Sequence, residues 1–162
     1  MRKRMPVLFT VAPVFLLALA VRSPRSNPPI DATHTIEAQL SPPPKITGML
    51  HRACGDCHSY QTKWPWYSQL EPVATMLSHD VEQGRLAMNL SDWHNDRRGG
   101  GALLAACSAL ETGRMPKSAY RSMHPEAALS QGETREFCSW AQEAAQVLLT
   151  SSRGRIKQTA GE

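Results

Sequence analysis

Aromatic residues are scarce, 6% of the chain, and no run alternates polar with apolar residues long enough to form a half-buried strand. A sheet-based fold is therefore excluded. No segment repeats. A basic stripe on the folded part is also missing. The formal net charge is +4, but Arg2, Lys3, Arg4, Arg22 and Arg25 all precede the first acidic residue, Asp31, and the remainder is close to neutral. That balance excludes a nucleic-acid partner. With 41% apolar and 20% charged residues among 162, the chain is neither mostly disordered nor a multi-span membrane protein. Its length fits about one domain.

What is present begins at the N terminus. Arg2-Lys3-Arg4 precedes an uncharged stretch from Met5 to Val21, with Ala18-Leu19-Ala20 as a small-x-small cleavage pattern. Residues 1–22 read as a signal peptide or an N-terminal membrane anchor. Either places the rest of the chain outside the cytoplasm, because basic residues ahead of an apolar run stay inside. The expected location is the periplasm, or the outer face of the cytoplasmic membrane if the segment stays uncleaved. Residues 23–45, with Pro28-Pro29 and Pro42-Pro43-Pro44, read as a stiff Pro-rich linker. Residues 151–162 are polar and read as a disordered tail.

Between these lies an all-α domain, residues 46–150, of four or five short helices. Lys45 to His58 carries Ile46, Met49, Leu50 and Ala53 on one face. Val73, Leu77 and Val81 recur every four residues within a helix of about 72–87, which Pro72 starts. Leu103, Ala106, Cys107 and Leu110 share a face that ends at Gly113. Ser130 and Glu133 form a capping box, followed by Phe137, Cys138, Ala141, Ala145 and Leu148 on one face. Trp93 and Trp140 read as core, Met76 and Met88 as core filler, and His34, His51, His79 and His94 as surface residues. A domain this small has a thin core and is expected to need a cofactor or crosslink.

Cys54-Gly55-Asp56-Cys57-His58 is the C-x-x-C-H pattern of covalent haem attachment. Thiols three residues apart can each add across one vinyl group of the same porphyrin. The following imidazole can then reach the iron. Attachment takes place after export, and the N-terminal segment supplies export. Competing readings are a zinc site with Cys107 and Cys138, a thiol redox pair, and ordinary disulfides. The spacing of Cys107 and Cys138 does not match a zinc knuckle, and a redox C-x-x-C needs a βαβ context that is missing. With Cys54 and Cys57 assigned to haem, Cys107 and Cys138 are expected to pair in an oxidising compartment.

The iron's sixth ligand is expected to be Met115. Gly113-Arg114-Met115-Pro116 leaves a helix as an extended loop, which lets the thioether approach opposite His58. His124 is the rival, and would give a lower potential. Trp64, Trp66 and Tyr67 are candidates for packing on the haem edge and donating to a propionate, or for plain loop packing. Arg85 is a candidate propionate partner, or a solvated helix charge.

The chain resembles the small bacterial haem-binding domain family of cytochrome c type. The resemblance rests on Arg25-Ser26-Asn27-Pro28-Pro29, the C-x-x-C-H run with Ser59, and Thr62-Lys63-Trp64-Pro65-Trp66-Tyr67-Ser68. It continues through Pro72, Asp80-Val81, Gly84-Arg85, Asn89, Ser91 and Trp93 to Gly113, Met115-Pro116, Tyr120, His124-Pro125, Ala127 and Leu129-Ser130. It implies covalent haem c, with His58 proximal and Met115 distal, at the outer face of the cytoplasmic membrane. The stretch Arg97-Arg98 with Gly99-Gly100-Gly101 departs from the family pattern as an altered loop. The expected function is one-electron transfer by a single-haem cytochrome to redox protein partners, without catalysis. The alternatives are a haem-based redox or gas sensor, a haem peroxidase and, last, a structural zinc module.

Overall fold

The computed structural model describes residues 25–95 and 99–159. The leader at 1–22 and the Arg97-Arg98 pair lie outside the described residues. Among the described residues, seven α-helices run in order: α1 Ile36–Leu40, α2 Pro44–Ala53, α3 Gly55–His58, α4 Val73–Ala87, α5 Gly100–Glu111, α6 Ser118–Met123 and α7 Gln131–Thr159. Three short 3-10 turns, Trp66–Gln69, Trp93–Asn95 and Pro125–Ala127, join them. No strand occurs among the described residues, so the domain is all-α.

The stretch expected to be linker is partly built into the body. Thr35 caps α1 by accepting the Ala38 N–H, the Ile36 N–H donates to the Leu90 carbonyl at 2.8 Å, and the Ile36 side chain is fully buried. Upstream, the Asn27 amide donates to the Thr62 carbonyl at 2.9 Å. Composition hid this, because a Pro-rich segment supplies few periodic residues yet can still deliver one large side chain to a core.

The helix expected over 45–58 is divided. α2 starts with Pro44 at its first position, where a missing N–H is harmless, and buries Ile46, Met49 and Leu50. At Cys54 the backbone turns to φ −121°, ψ −30°, and α3 restarts at Gly55. α7 begins at the capping box: Glu133 N–H donates to Ser130 Oγ at 3.2 Å, and Ser130 N–H donates back to Glu133 at 2.8 Å. Its backbone stays helical through Thr159, beyond the point where a disordered tail was expected.

The core gathers Ile36, Met49, Leu50, Leu103 and Phe137, with Met88, Leu90 and Trp93 at its edge. Trp140 packs against it, half-buried. Met76 is no core filler; it is 54% exposed. α5 and α7 lie against each other, and the Cys107–Cys138 disulfide joins them with Cα atoms 5.0 Å apart.

Candidate functional site

A cavity of about 460 Å³ opens between α2–α3, α4, α5 and the loop after α5. That size falls within the roughly 300–1,000 Å³ of small-molecule and cofactor sites. Its space comes from small side chains: Ala53, Ala87, Ala102, Ala105, Ala106 and Ala109 line it. Larger residues on those helix faces would fill it.

Cys54, Cys57 and His58 line one part of the wall. Neither sulfur is in a disulfide. Burial pushes the Cys54 thiol up to about 12 and the Cys57 thiol up to about 11. Both are therefore neutral thiols, unlike the activated thiolate of a redox C-x-x-C. Cys107 and Cys138 are bonded to each other, so a four-cysteine zinc site is also closed.

His58 is oriented by its backbone and its ring. Its carbonyl accepts the Leu90 N–H at 2.8 Å, and its Nδ1 lies 3.1 Å from the Met88 carbonyl. A carbonyl only accepts, so Nδ1 carries the proton and Nε2 keeps its lone pair. Burial holds the imidazole below its ordinary pKa, so the neutral form is the resident one. A neutral ring whose other nitrogen is tied to a backbone carbonyl is the arrangement metal-bound histidines adopt.

Gly84 of α4 allows the motif to sit this close. A Cβ there would stand 2.5 Å from the Cys57 carbonyl oxygen. Across the cavity, Gly113 ends α5 with φ +67°, a left-handed conformation that favours glycine. The chain then turns so that the Met115 N–H donates to the Ala109 carbonyl at 3.1 Å. Met115 lines the same cavity as His58 and is 37% exposed.

The other sequence candidates are not on the cavity wall. The Arg85 guanidinium donates to the Ser59 carbonyl at 2.8 Å, to Thr62 Oγ at 3.0 Å and to Asn27 Oδ1 at 3.1 Å. It also sits over the Tyr60 ring at 5.3 Å. Arg85 thus fastens the loop after the motif to the N-terminal stretch. Trp66 is 73% exposed. The Trp64 indole N–H is buried without a protein partner. Tyr67 Oη pairs with His124 Nε2 at 2.7 Å, one layer behind the cavity. His124 Nδ1 faces Glu126 at 3.2 Å and its ring stacks on Tyr120 at 4.4 Å. Both of its nitrogens are engaged away from the cavity, which weakens it as a rival to Met115.

Sequence reasoning gave no role to Tyr120, Lys117, Asp56 and Asp80, which all line the cavity. Tyr120 Oη donates to Asp56 at 2.6 Å, and Lys117 pairs with Asp80 at 2.5 Å. Asp56 lies inside the C-x-x-C-H run, but nothing in the spacing pairs it with a tyrosine so distant along the chain.

Fold and site together define an all-α cofactor-binding domain. A family model described as a haem-binding domain matches residues 13–143. The chain belongs to this family of haem-binding domains. Neither a curated protein nor a solved structure matches it. The residues present fit a haem: two free thiols, a neutral imidazole with a free lone pair and a thioether line one cavity walled by alanine.

Proposed function

We propose that the protein is an exported single-haem cytochrome of c type, working by electron transfer rather than catalysis. In this reading Cys54 and Cys57 would hold the porphyrin covalently, and His58 and Met115 would supply the iron's two protein ligands. The observation that carries it is the convergence of these four side chains on one cavity, with Nδ1 of His58 already engaged by the Met88 carbonyl. A haem iron held there supplies one-electron chemistry between Fe(II) and Fe(III).

The chain's own residues set the conditions for that chemistry. The Met88 carbonyl fixes the His58 ring and raises the donor strength of Nε2. Met115, a thioether in place of a second imidazole, raises the potential. Two protein ligands on short tethers keep coordination constant through the redox change, which limits reorganisation. The alanine wall keeps the surroundings apolar. The expected partners are redox proteins of the periplasm or of the outer face of the cytoplasmic membrane. Because the domain is close to neutral, docking to them is expected to depend weakly on salt.

The test is the full chain expressed in a host equipped for cytochrome maturation. Haem that stays on the polypeptide through denaturation supports covalent attachment, and haem extracted by acidified organic solvent refutes it. Met115→Ala is expected to abolish the weak Met–iron charge-transfer band of the ferric protein. A band that survives this change rules Met115 out.

A further inference from the structure

We infer that Tyr120 is a positioning residue that holds the Met115 loop closed over the cavity, by tying α6 to the carboxylate of Asp56 inside the C-x-x-C-H turn. The inference rests on the reading of Met115 as distal ligand.

Met115 has no regular structure of its own. On its N-terminal side the chain is fixed by the bond from its N–H to the Ala109 carbonyl. On its C-terminal side the loop packs through buried Pro116, which lines the cavity. The next fixed points are Lys117, bonded to Asp80 on α4, and Tyr120, whose Oη donates to Asp56 at 2.6 Å. Both ties cross from the loop and α6 to the elements that carry the haem motif, and all four residues line the cavity.

The two ties differ in strength. Lys117 is half-exposed, and a pair of that kind contributes little in water. The Tyr120–Asp56 bond is part-buried and joins a phenol to an ionisable carboxylate, a short charge-assisted contact. Burial and Asp56 both hold the phenol far above its ordinary pKa, so it stays a donor. The ring is fixed from behind by stacking on His124, which Tyr67 and Glu126 hold in turn. Tyr120 therefore cannot swing away without breaking a chain of contacts that reaches the Trp66–Gln69 turn. The position between the two cysteines thus has a function of its own: it sets how firmly the sixth ligand is delivered.

The experiment uses the full, haem-loaded chain with Tyr120→Phe, Asp56→Ala and Asp56→Asn. Tyr120→Phe keeps the stacked ring and removes only the donor. Asp56→Asn keeps one acceptor oxygen for the two donors that Asp56 serves, Tyr120 Oη and the Lys63 N–H, and loses the charge. Imidazole binding to the ferric protein and the Met–iron charge-transfer band are measured together. Tyr120→Phe and Asp56→Ala are expected to retain covalent haem, to weaken the band and to bind imidazole about tenfold more tightly or better. Asp56→Asn is expected to fall between the parent and Asp56→Ala. Asp56 Oδ1 also accepts the Lys63 N–H at 3.2 Å, so the double variant Tyr120→Phe/Asp56→Ala is expected to match Asp56→Ala, with Tyr120→Phe adding nothing once its acceptor is gone. A parent-like band and imidazole affinity in Tyr120→Phe overturn the inference and leave the ligand assignment standing. A parent protein with covalent haem but no such band overturns both. Should Tyr120→Phe fail to fold, Asp56→Ala against Asp56→Asn decides: equal imidazole affinities count against the tie.

Discussion

At the scale of single residues, the site depends on what is absent as much as on what is present. Gly84 has no side chain, and the Cys57 carbonyl occupies the space where a Cβ would stand. That neighbour is backbone and cannot rotate aside. Gly84→Ala should cost about 1–3 kcal/mol in an unfolding titration, as overpacking does, and should lower haem incorporation at equal expression. Unchanged stability would mean that α4 slides freely along the motif. The chemistry-bearing residues were the legible ones: Cys54, Cys57, His58 and Met115 announce themselves by type and spacing. For Arg85, Trp64 and Trp66 residue type left two readings open. Residue type told what each could bind, and only the folded backbone shows that Arg85 is already engaged by Ser59, Thr62 and Asn27.

At the scale of elements, periodicity recovered α4, α5 and the start of α7, because each carries apolar residues at helical spacing. It missed the break at Cys54 and the short α1 and α6, which have too few residues to show a period. The α7 N terminus makes a pH prediction. Hydrogen bonds from the Ser130 backbone N–H, then from Arg52 and the Ser130 hydroxyl, hold the Glu133 carboxyl down at about 2 against an ordinary 4.5. Because the folded value is the lower one, the stabilisation is fully present above 4.5 and is lost as pH falls toward 2. Glu133→Gln should flatten that limb of a stability–pH curve; an unchanged curve would contradict the assignment. The disulfide between α5 and α7 spans 31 residues. Replacing both Cys107 and Cys138 with Ser should lower stability by roughly 3–4 kcal/mol through loop-closure entropy, read from denaturant midpoints.

At the scale of the whole molecule, the helical body extends further toward the N terminus than composition suggested. Asn27 binds Thr62 and Arg85, the Ile36 N–H binds Leu90, and the Ile36 side chain is in the core. Asn27→Ala removes both side-chain bonds and should cost about 1–2 kcal/mol. Amide exchange over residues 25–35 should accelerate while the visible spectrum of the haem-loaded protein stays the same. A spectral change would mean that the N-terminal stretch reaches the iron's surroundings.

The stitch at Asn27 also sets a radius of action. A leash of twenty-odd residues would let a tethered domain roam far from its attachment point. Fixing Asn27 to the loop beside the C-x-x-C-H run takes the stretch from Asn27 onward out of any such leash. Any attachment ahead of Asn27 would therefore hold the domain close, with little room to turn.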